Sequence, residues 1–448
     1  MARLCVILVA GLDRSLLART TGLKILSSFT HQTNYSPVLP AVTSTMQATL
    51  TTGQPPAKHG IIANGLLTHN RPDLHLHLDL SNNAPFRKEV SFWEQSNSLL
   101  QSPRFWQGSG KKVAMLFWQN SMPDPAGNNP AADIVLTPKP SHTPDGKALT
   151  ACWSHPADLY TTLAAKLGPF PLHNYWSPMA GLPSSQWILQ SAEYVWCELH
   201  PDLQFVYVPH LDYNLQRLGP SHPANIKDLQ DVDAALAPLI ARVRADGGTP
   251  VILGDYGMYD VTTPILPNLA LRNAGLLTTR PDADGKLLVD HETTQAFALV
   301  DHQIAHVYTK PEVLHDTRRL LQKLPGVHVV LSGKDLANFH IDHPRTGDLL
   351  VLAHPHAWFA HDWWLSDAEK PKWQFTVDIH AKPGYDPREL FFDPARKCIA
   401  QDPALVKGSH GLIGDPAKWP VLLSDSPLLT DTIQSTQIAP WLKAMLLC

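Results

Sequence analysis

The chain has 448 residues, 44% hydrophobic and 17% charged, and a net charge of −4. That composition excludes a disordered chain and allows a large buried core, either as one big α/β domain with an insertion or as two domains. The near-neutral balance supplies no bulk basic field for a nucleic-acid polymer or an anionic membrane surface.

In chain order, the apolar run Leu4 to Leu12 predicts a first β-strand. With only Arg3 ahead of it and no small-residue cleavage site, it does not read as a secretory leader. Thr43 to Leu50 can open a helix. Residues 66–200 are rich in Pro, Asn, Ser and Trp and weakly periodic, which predicts long loops with helices such as one around Pro156 to Leu167. Phe205 to Pro209 and Val251 to Leu253 predict two more buried strands. Between them Ile226, Leu229, Val232, Leu236, Leu239, Ile240 and Val243 keep helical spacing as far as Asp246-Gly247-Gly248, with Pro238 as a predicted kink. Strand, helix, strand is the parallel crossover unit. Farther on, Ala296 to Tyr308 predicts one strand, Pro311 to Leu324 a helix, and Val327 to Leu331 and Leu349 to Ala353 two strands.

Five cysteines stand far apart with no Cys-x-x-Cys pair, which argues against a disulfide scaffold or a cysteine zinc site. No run approaches the roughly 18 uninterrupted apolar residues of a membrane span. The expectation is a soluble, cytoplasmic protein.

Three predicted strands run directly into polar clusters: Gly11-Leu12-Asp13, His210-Leu211-Asp212-Tyr213-Asn214, and Gly254-Asp255-Tyr256-Gly257. Ligand sites of open α/β sheets lie beyond the carboxyl ends of the strands, so these clusters mark one candidate site. The segment from Pro37 to Thr45, followed by Thr52-Gly53 and His59-Gly60-Ile61-Ile62-Ala63-Asn64, adds a hydroxyl at Thr43 and an amide at Asn64. Taken alone, Thr43 would be a helix cap.

In this wording the segment resembles the nucleophile region of the nucleotide pyrophosphatase/phosphodiesterase branch of the alkaline phosphatase superfamily. The likeness implies a three-layer α/β/α sandwich with a mostly parallel central sheet. Residues 1–258 and 376–448 would form the core and 259–375 an inserted α+β cap. It implies hydrolysis of a phosphodiester or pyrophosphate, with Thr43 attacking phosphorus to give a phosphothreonine and Asn64 stabilising the oxyanion. The partner would be a small phosphorylated substrate.

The resemblance also implies one or two divalent metal ions, commonly zinc, and here the residues depart from the pattern. Asp212, Asp255 and His410 match expected ligands. Ala10, Gln216 and Tyr256 stand where Asp, His and His are expected. Gln is a weak zinc ligand and Tyr ligates well only as phenolate, so Mg²⁺ or Mn²⁺ on oxygen ligands is an alternative. Asp13, His210, Asp301, His302, His306 and His380 are candidate substitute ligands or substrate contacts, with Gln216 and Tyr256 themselves. On one strand His302 and His306 would share a face. Lys382, beside His380, could meet phosphate as a point charge. This stretch and the one around Asp212 also resemble a bacterial branch of the superfamily. Two other functions follow from the same residues: ligand or partner binding without turnover, and hydrolysis of another ester or a phosphonate.

Overall fold

The computed structural model describes residues 3–67, 90–93, 96–123, 130–139, 141–142, 148–149, 151–428 and 433–447. Short apolar runs, each closed by Pro, Gly or a polar turn, form its strands: β1 (Leu4–Val9), β2 (His31–Ser36), β3 (Val113–Leu116), β4 (Ile134–Pro138), β5 (Cys152–His155), β6 (Leu203–Val208) and β7 (Thr249–Leu253). A second group follows with β8 (Ala296–Asp301), β9 (Ile304–Thr309), β10 (Val327–Leu331) and β11 (Leu349–Ala353). The chain then returns with β12 (Val421–Ser424) and β13 (Ile433–Gln434).

Among the described residues, the main sheet has nine strands in the order β13-β2-β12-β7-β1-β6-β3-β4-β5. Its middle is parallel: Val6 of β1 pairs with Phe205 of β6 on one side and Val251 of β7 on the other. The sheet turns antiparallel at β12 and at β5. Every residue of β1 and β6 is buried, as expected of strands covered on both faces. The helix Ala224–Ala245 connects β6 to β7 and continues through Pro238, burying Leu229, Val232, Leu236, Leu239, Ile240 and Val243. The result is the mixed α/β fold with a mostly parallel central sheet that the sequence predicts.

Two expectations need correction. Residues 66–200 are not mainly decorated loop, because β3, β4 and β5 extend the main sheet and the helix Leu182–Tyr194 packs beside it. These strands are too short, and Trp- and Pro-rich at their ends, to show a period. Part of that region, 68–89, lies outside the described residues, as does Cys448. Ala296 to Tyr308 is not one strand but the hairpin β8–β9, with His302 in the turn at φ 60°. The two histidines therefore do not share a strand face. β8, β9, β11 and β10 form a separate four-stranded antiparallel sheet, and the end of its β8–β9 hairpin carries Asp301 against Asn64 and His302 against His410. No helix among the described residues is long and apolar enough to cross a membrane.

Candidate active site

Thr43 is the first residue of the helix Thr43–Thr52, all ten residues of which are buried. Most hydroxyls of this buried, threonine-rich helix are satisfied within it, Thr45 Oγ1 being an exception. Thr49, Thr51 and Thr52 return theirs to the carbonyls of Thr45, Gln47 and Ala48 at 2.8–2.9 Å. Val42 gives the helix no side-chain cap. Asn64 does so from a distance, its Oδ1 accepting from the Ser44 N–H at 2.9 Å and satisfying one orphan donor. Asn64 is held in turn by Asp301, whose carboxylate accepts from its backbone N–H at 2.7 Å and from Nδ2 at 3.1 Å. His302 Nδ1 stands 2.6 Å from the same carboxylate and is the donor, because a carboxylate only accepts. Burial pushes Asp301 up to about 6, while hydrogen bonds from Asn64 pull it down.

We expect Asp301→Ala to leave the Asn64 and His302 donors buried and unpaired. The cost should be about 2–4 kcal/mol of stability, read as a lower denaturant midpoint.

Asp212 is the third residue of the helix His210–Leu218, and Gln216 follows four residues later on the same face. Gln216 Nε2 donates to Asp212 Oδ2. The hydroxyl of Tyr256, in the loop after β7, donates to Asp212 Oδ1 at 3.0 Å. Thr43 Oγ1 in turn points its hydroxyl at the Tyr256 oxygen across 3.4 Å, a long contact compared with a tight O–H···O bond. Tyr385 completes the series by donating to Gln216 Oε1 at 2.6 Å. Burial drives the Asp212 carboxyl up to about 7 against the lowering effect of its two hydrogen bonds. Tyr256 is pushed well above the ordinary phenol value by burial and then by Asp212.

Asp255 behaves differently. Its Oδ1 accepts from the backbone N–H groups of Gly11 and Tyr256 at 3.0 Å each, and its Oδ2 is buried without a partner. Burial raises its carboxyl well above the usual range, against the lowering effect of the Gly11 hydrogen bond. Gly11 adopts φ +72°, and a Cβ there would fall 2.7 Å from Leu215 Cδ1, so only glycine fits this turn. His410 gives its Nδ1 proton to the Ala41 carbonyl at 2.8 Å, which leaves the Nε2 lone pair buried and unpartnered.

Four rings form a column through the site, the outer two pairs stacked and the His410–His302 pair tilted by 38°. Tyr256 and His410 lie 3.4 Å apart and 4° from parallel, His410 and His302 are 3.7 Å apart, and His302 and Tyr385 are 3.6 Å apart. Thr43, Asp212, Tyr256, His302 and Tyr385 open on a cavity of about 790 Å³. Its walls are mostly apolar and aromatic, including Trp93, Tyr175, Trp176, Phe375 and Ile399, and His380 stands among them.

The structure thus brings together Thr43, Asn64, Asp212, Gln216, Asp255, Tyr256, His302 and His410. The other candidates go elsewhere. Asp13 caps the helix Arg14–Arg19 by accepting from the Leu16 N–H at 2.7 Å. His210 is buried with Nε2 3.7 Å from Asp228. His306 faces the Ile62 carbonyl at 3.2 Å. Lys382 is buried 3.4 Å from Glu389 and 3.8 Å from Asp386. Sequence reasoning gave no site role to Tyr385, nor to Trp176, one of the aromatics that read mostly as core packing. Their only signal was the polar and aromatic character of their loops.

The family model described as type I phosphodiesterase / nucleotide pyrophosphatase matches residues 4–386. The chain belongs to that family. The fold is shared with murine ectonucleotide pyrophosphatase/phosphodiesterase 5, 14% identical over 99% of this chain and 95% of that one, with a TM-score of 0.61. An inactive form of the murine protein, solved in complex with AMP, is 15% identical over 100% and 95% of the two chains, again with a TM-score of 0.61. Phosphonoacetate hydrolase from Sinorhizobium meliloti 1021, solved with phosphonoformate, is 16% identical over 99% and 96%, with a TM-score of 0.61. No curated protein matches the chain.

The ion pair implied by the sequence resemblance can be tested against the donor set of this family member. Ala10 brings no side-chain donor, and both Asp212 oxygens are engaged by side chains of this chain. The Tyr256 ring lies flat against His410. Among the described residues, no three His, Cys, Asp or Glu side chains converge as a metal cluster would require. Two lone acceptors remain, Asp255 Oδ2 and His410 Nε2, fewer than the four donors of a tetrahedral zinc site. The donor set does not fit a two-zinc centre.

Proposed function

We propose that this chain is a hydrolase of small phosphoric esters, of the phosphodiesterase/pyrophosphatase type or acting on a related phosphonate, with Thr43 as nucleophile. The observation that carries this reading is the line of donors from Thr43 through Tyr256 to Asp212, set at a helix N-terminus on the floor of a large cavity. Helix N-termini favour phosphate through their free N–H groups and dipole.

The residues present divide the work as follows. As Thr43 Oγ bonds to phosphorus, its proton passes to the Tyr256 oxygen and the Tyr256 proton to Asp212. The bond from phosphorus to the leaving group breaks, and the leaving atom departs with the electron pair. Water then attacks the phosphothreonine, and the Oγ–P bond breaks. Thr43 recovers its proton from Asp212 through Tyr256, and the proton lost by water ends on the released leaving group. Asn64 fixes the Ser44 end of the helix, and we assign it the oxyanion role as well. Residues 259–375 act as a cap that delivers Asp301 and His302 to Thr43.

Asp212 accepts a proton only when ionised. The fraction ionised rises with pH through about 7, so kcat/KM should climb through that region and level off above it. A rate that falls over the same interval would remove Asp212 as the acceptor. The test of the function is hydrolysis of bis-p-nitrophenyl phosphate, a dinucleotide and a phosphonate by wild type and Thr43→Ala. Turnover by wild type alone supports the reading.

The replaced positions Ala10, Gln216 and Tyr256 favour a second reading, binding of a phosphorylated ligand without turnover. Saturable binding of the same compounds, with no hydrolysis of any of them, would decide for it.

A further inference from the structure

We infer that this chain has replaced the ion-binding part of its site with a stacked and hydrogen-bonded frame, in which Tyr256 positions Thr43 and no divalent ion is held. The Thr43 clause rests on the proposed hydrolase reading; the ion clause stands without it.

The replacements are coupled. A ligand position merely lost would leave its former partners stranded. Here each polar replacement is tied to a surviving group. Gln216 spans from Asp212 to the Tyr385 hydroxyl. Tyr256 spans from Thr43 to Asp212 and lays its ring on His410 at 3.4 Å. Together they occupy both oxygens of the carboxylate that an ion would need.

The remaining ring faces are covered, and only one atom each of Asp255 and His410 in this set stays open. His410 is covered on one side by Tyr256 and on the other by His302, which rests on Tyr385. Asp255 spends one oxygen on two backbone N–H groups. An entering ion would have to break the Asp212 bonds and take that partner from Gln216 Nε2 and the Tyr256 hydroxyl, which is unfavourable for side chains this buried. It would gain one imidazole and one carboxylate oxygen besides Asp212. Zinc sites are made from closed sets of three or four such donors. The same frame does for Thr43 what its buried position requires. Tyr256 is the side chain that meets its hydroxyl, and the stack fixes the Tyr256 ring.

The test titrates Zn²⁺, and separately Mn²⁺, into purified full-length wild type by calorimetry, with elemental analysis of the protein as isolated. Wild type should hold no stoichiometric metal and give no saturable heat. The variant Ala10→Asp/Gln216→His/Tyr256→His should gain zinc binding at least about 100-fold tighter. One or two ions bound stoichiometrically by wild type would overturn the inference. If the triple variant does not fold, the wild-type titration still decides.

Tyr256→Phe keeps the ring on His410 and removes only the hydroxyl. It should lower kcat about 10- to 100-fold at nearly unchanged KM, and hydrolysis by wild type should persist in excess chelator. Full turnover in Tyr256→Phe would overturn the positioning role. Absence of turnover in wild type on every substrate would count against the hydrolase reading, while the titration would still decide whether the frame excludes an ion.

Discussion

Thr43→Ala is expected to lower kcat by at least about 10³-fold, since loss of a nucleophile removes the covalent route and leaves only binding and positioning. The fold should survive this change. Thr43 starts its helix without capping it, its hydroxyl makes only the long contact to Tyr256, and the capping is done by Asn64 on the neighbouring Ser44. Thr43→Ser keeps an oxygen at the same place and should retain part of the rate. Ser44 and Thr45 do not substitute. The Ser44 N–H is fixed by Asn64, and Thr45 lies deeper in the buried helix, away from the cavity wall that includes Thr43. Steady-state rates of the three proteins on one diester, with melting curves alongside, separate loss of chemistry from loss of fold.

Arg388→Met is expected to be the most destabilising single change, by about 3–5 kcal/mol, because it strands buried carboxylates. Arg388 is fully buried. Its guanidinium makes a two-pronged contact with Asp362 at 2.8 Å on each side and reaches Asp386 with Nε at 2.7 Å. Burial alone would raise the Asp386 carboxyl, but Arg388, His361 and Lys382 hold it well below the usual range. Without Arg388, both carboxylates would have to protonate or break out of the core. Arg388→Lys should recover little, since a single ammonium cannot reproduce the fork. The same segment carries Tyr385 and the cavity wall from Phe375 to His380. A variant that still folds should therefore show a raised KM. Urea unfolding measures the first effect and steady-state kinetics the second.

These two predictions divide according to what the sequence made legible. Thr43 and Asn64 lie within one continuous segment whose wording carries a mechanism, so the nucleophile end of the site could be proposed from the sequence alone. Asp212, Asp255 and His410 follow strand or turn motifs with their own glycines, and the structure gathers all three. β1, β6 and β7 were legible as short apolar runs ending in polar clusters. What was not legible depends on contacts across hundreds of residues. Nothing local in Asp301 announces that it clamps Asn64, 237 positions away. Tyr385 meets Gln216 across 169 positions, and Arg388 reads as one more surface cation until Asp362 and Asp386 close around it. His302 was misplaced for a local reason: an apolar run broken by Asp301-His302-Gln303 folds as a hairpin, and strand periodicity cannot see the reversal. Gln216 and Tyr256 read as lost ligands in the sequence. In the structure they are joined to each other through Asp212, in keeping with the bacterial-branch resemblance, which makes them a design and not damage.

A nucleophilic Thr43 becomes covalently bonded to phosphorus during turnover. The direct measurement is an acid quench of wild type during turnover of bis-p-nitrophenyl phosphate, followed by mass analysis of the peptide that contains Thr43. The account predicts a phosphoryl adduct on Thr43 that appears within the first turnover and is missing from Thr43→Ala. Steady hydrolysis with no adduct, and with Thr43→Ala turning over at the wild-type rate, would contradict it.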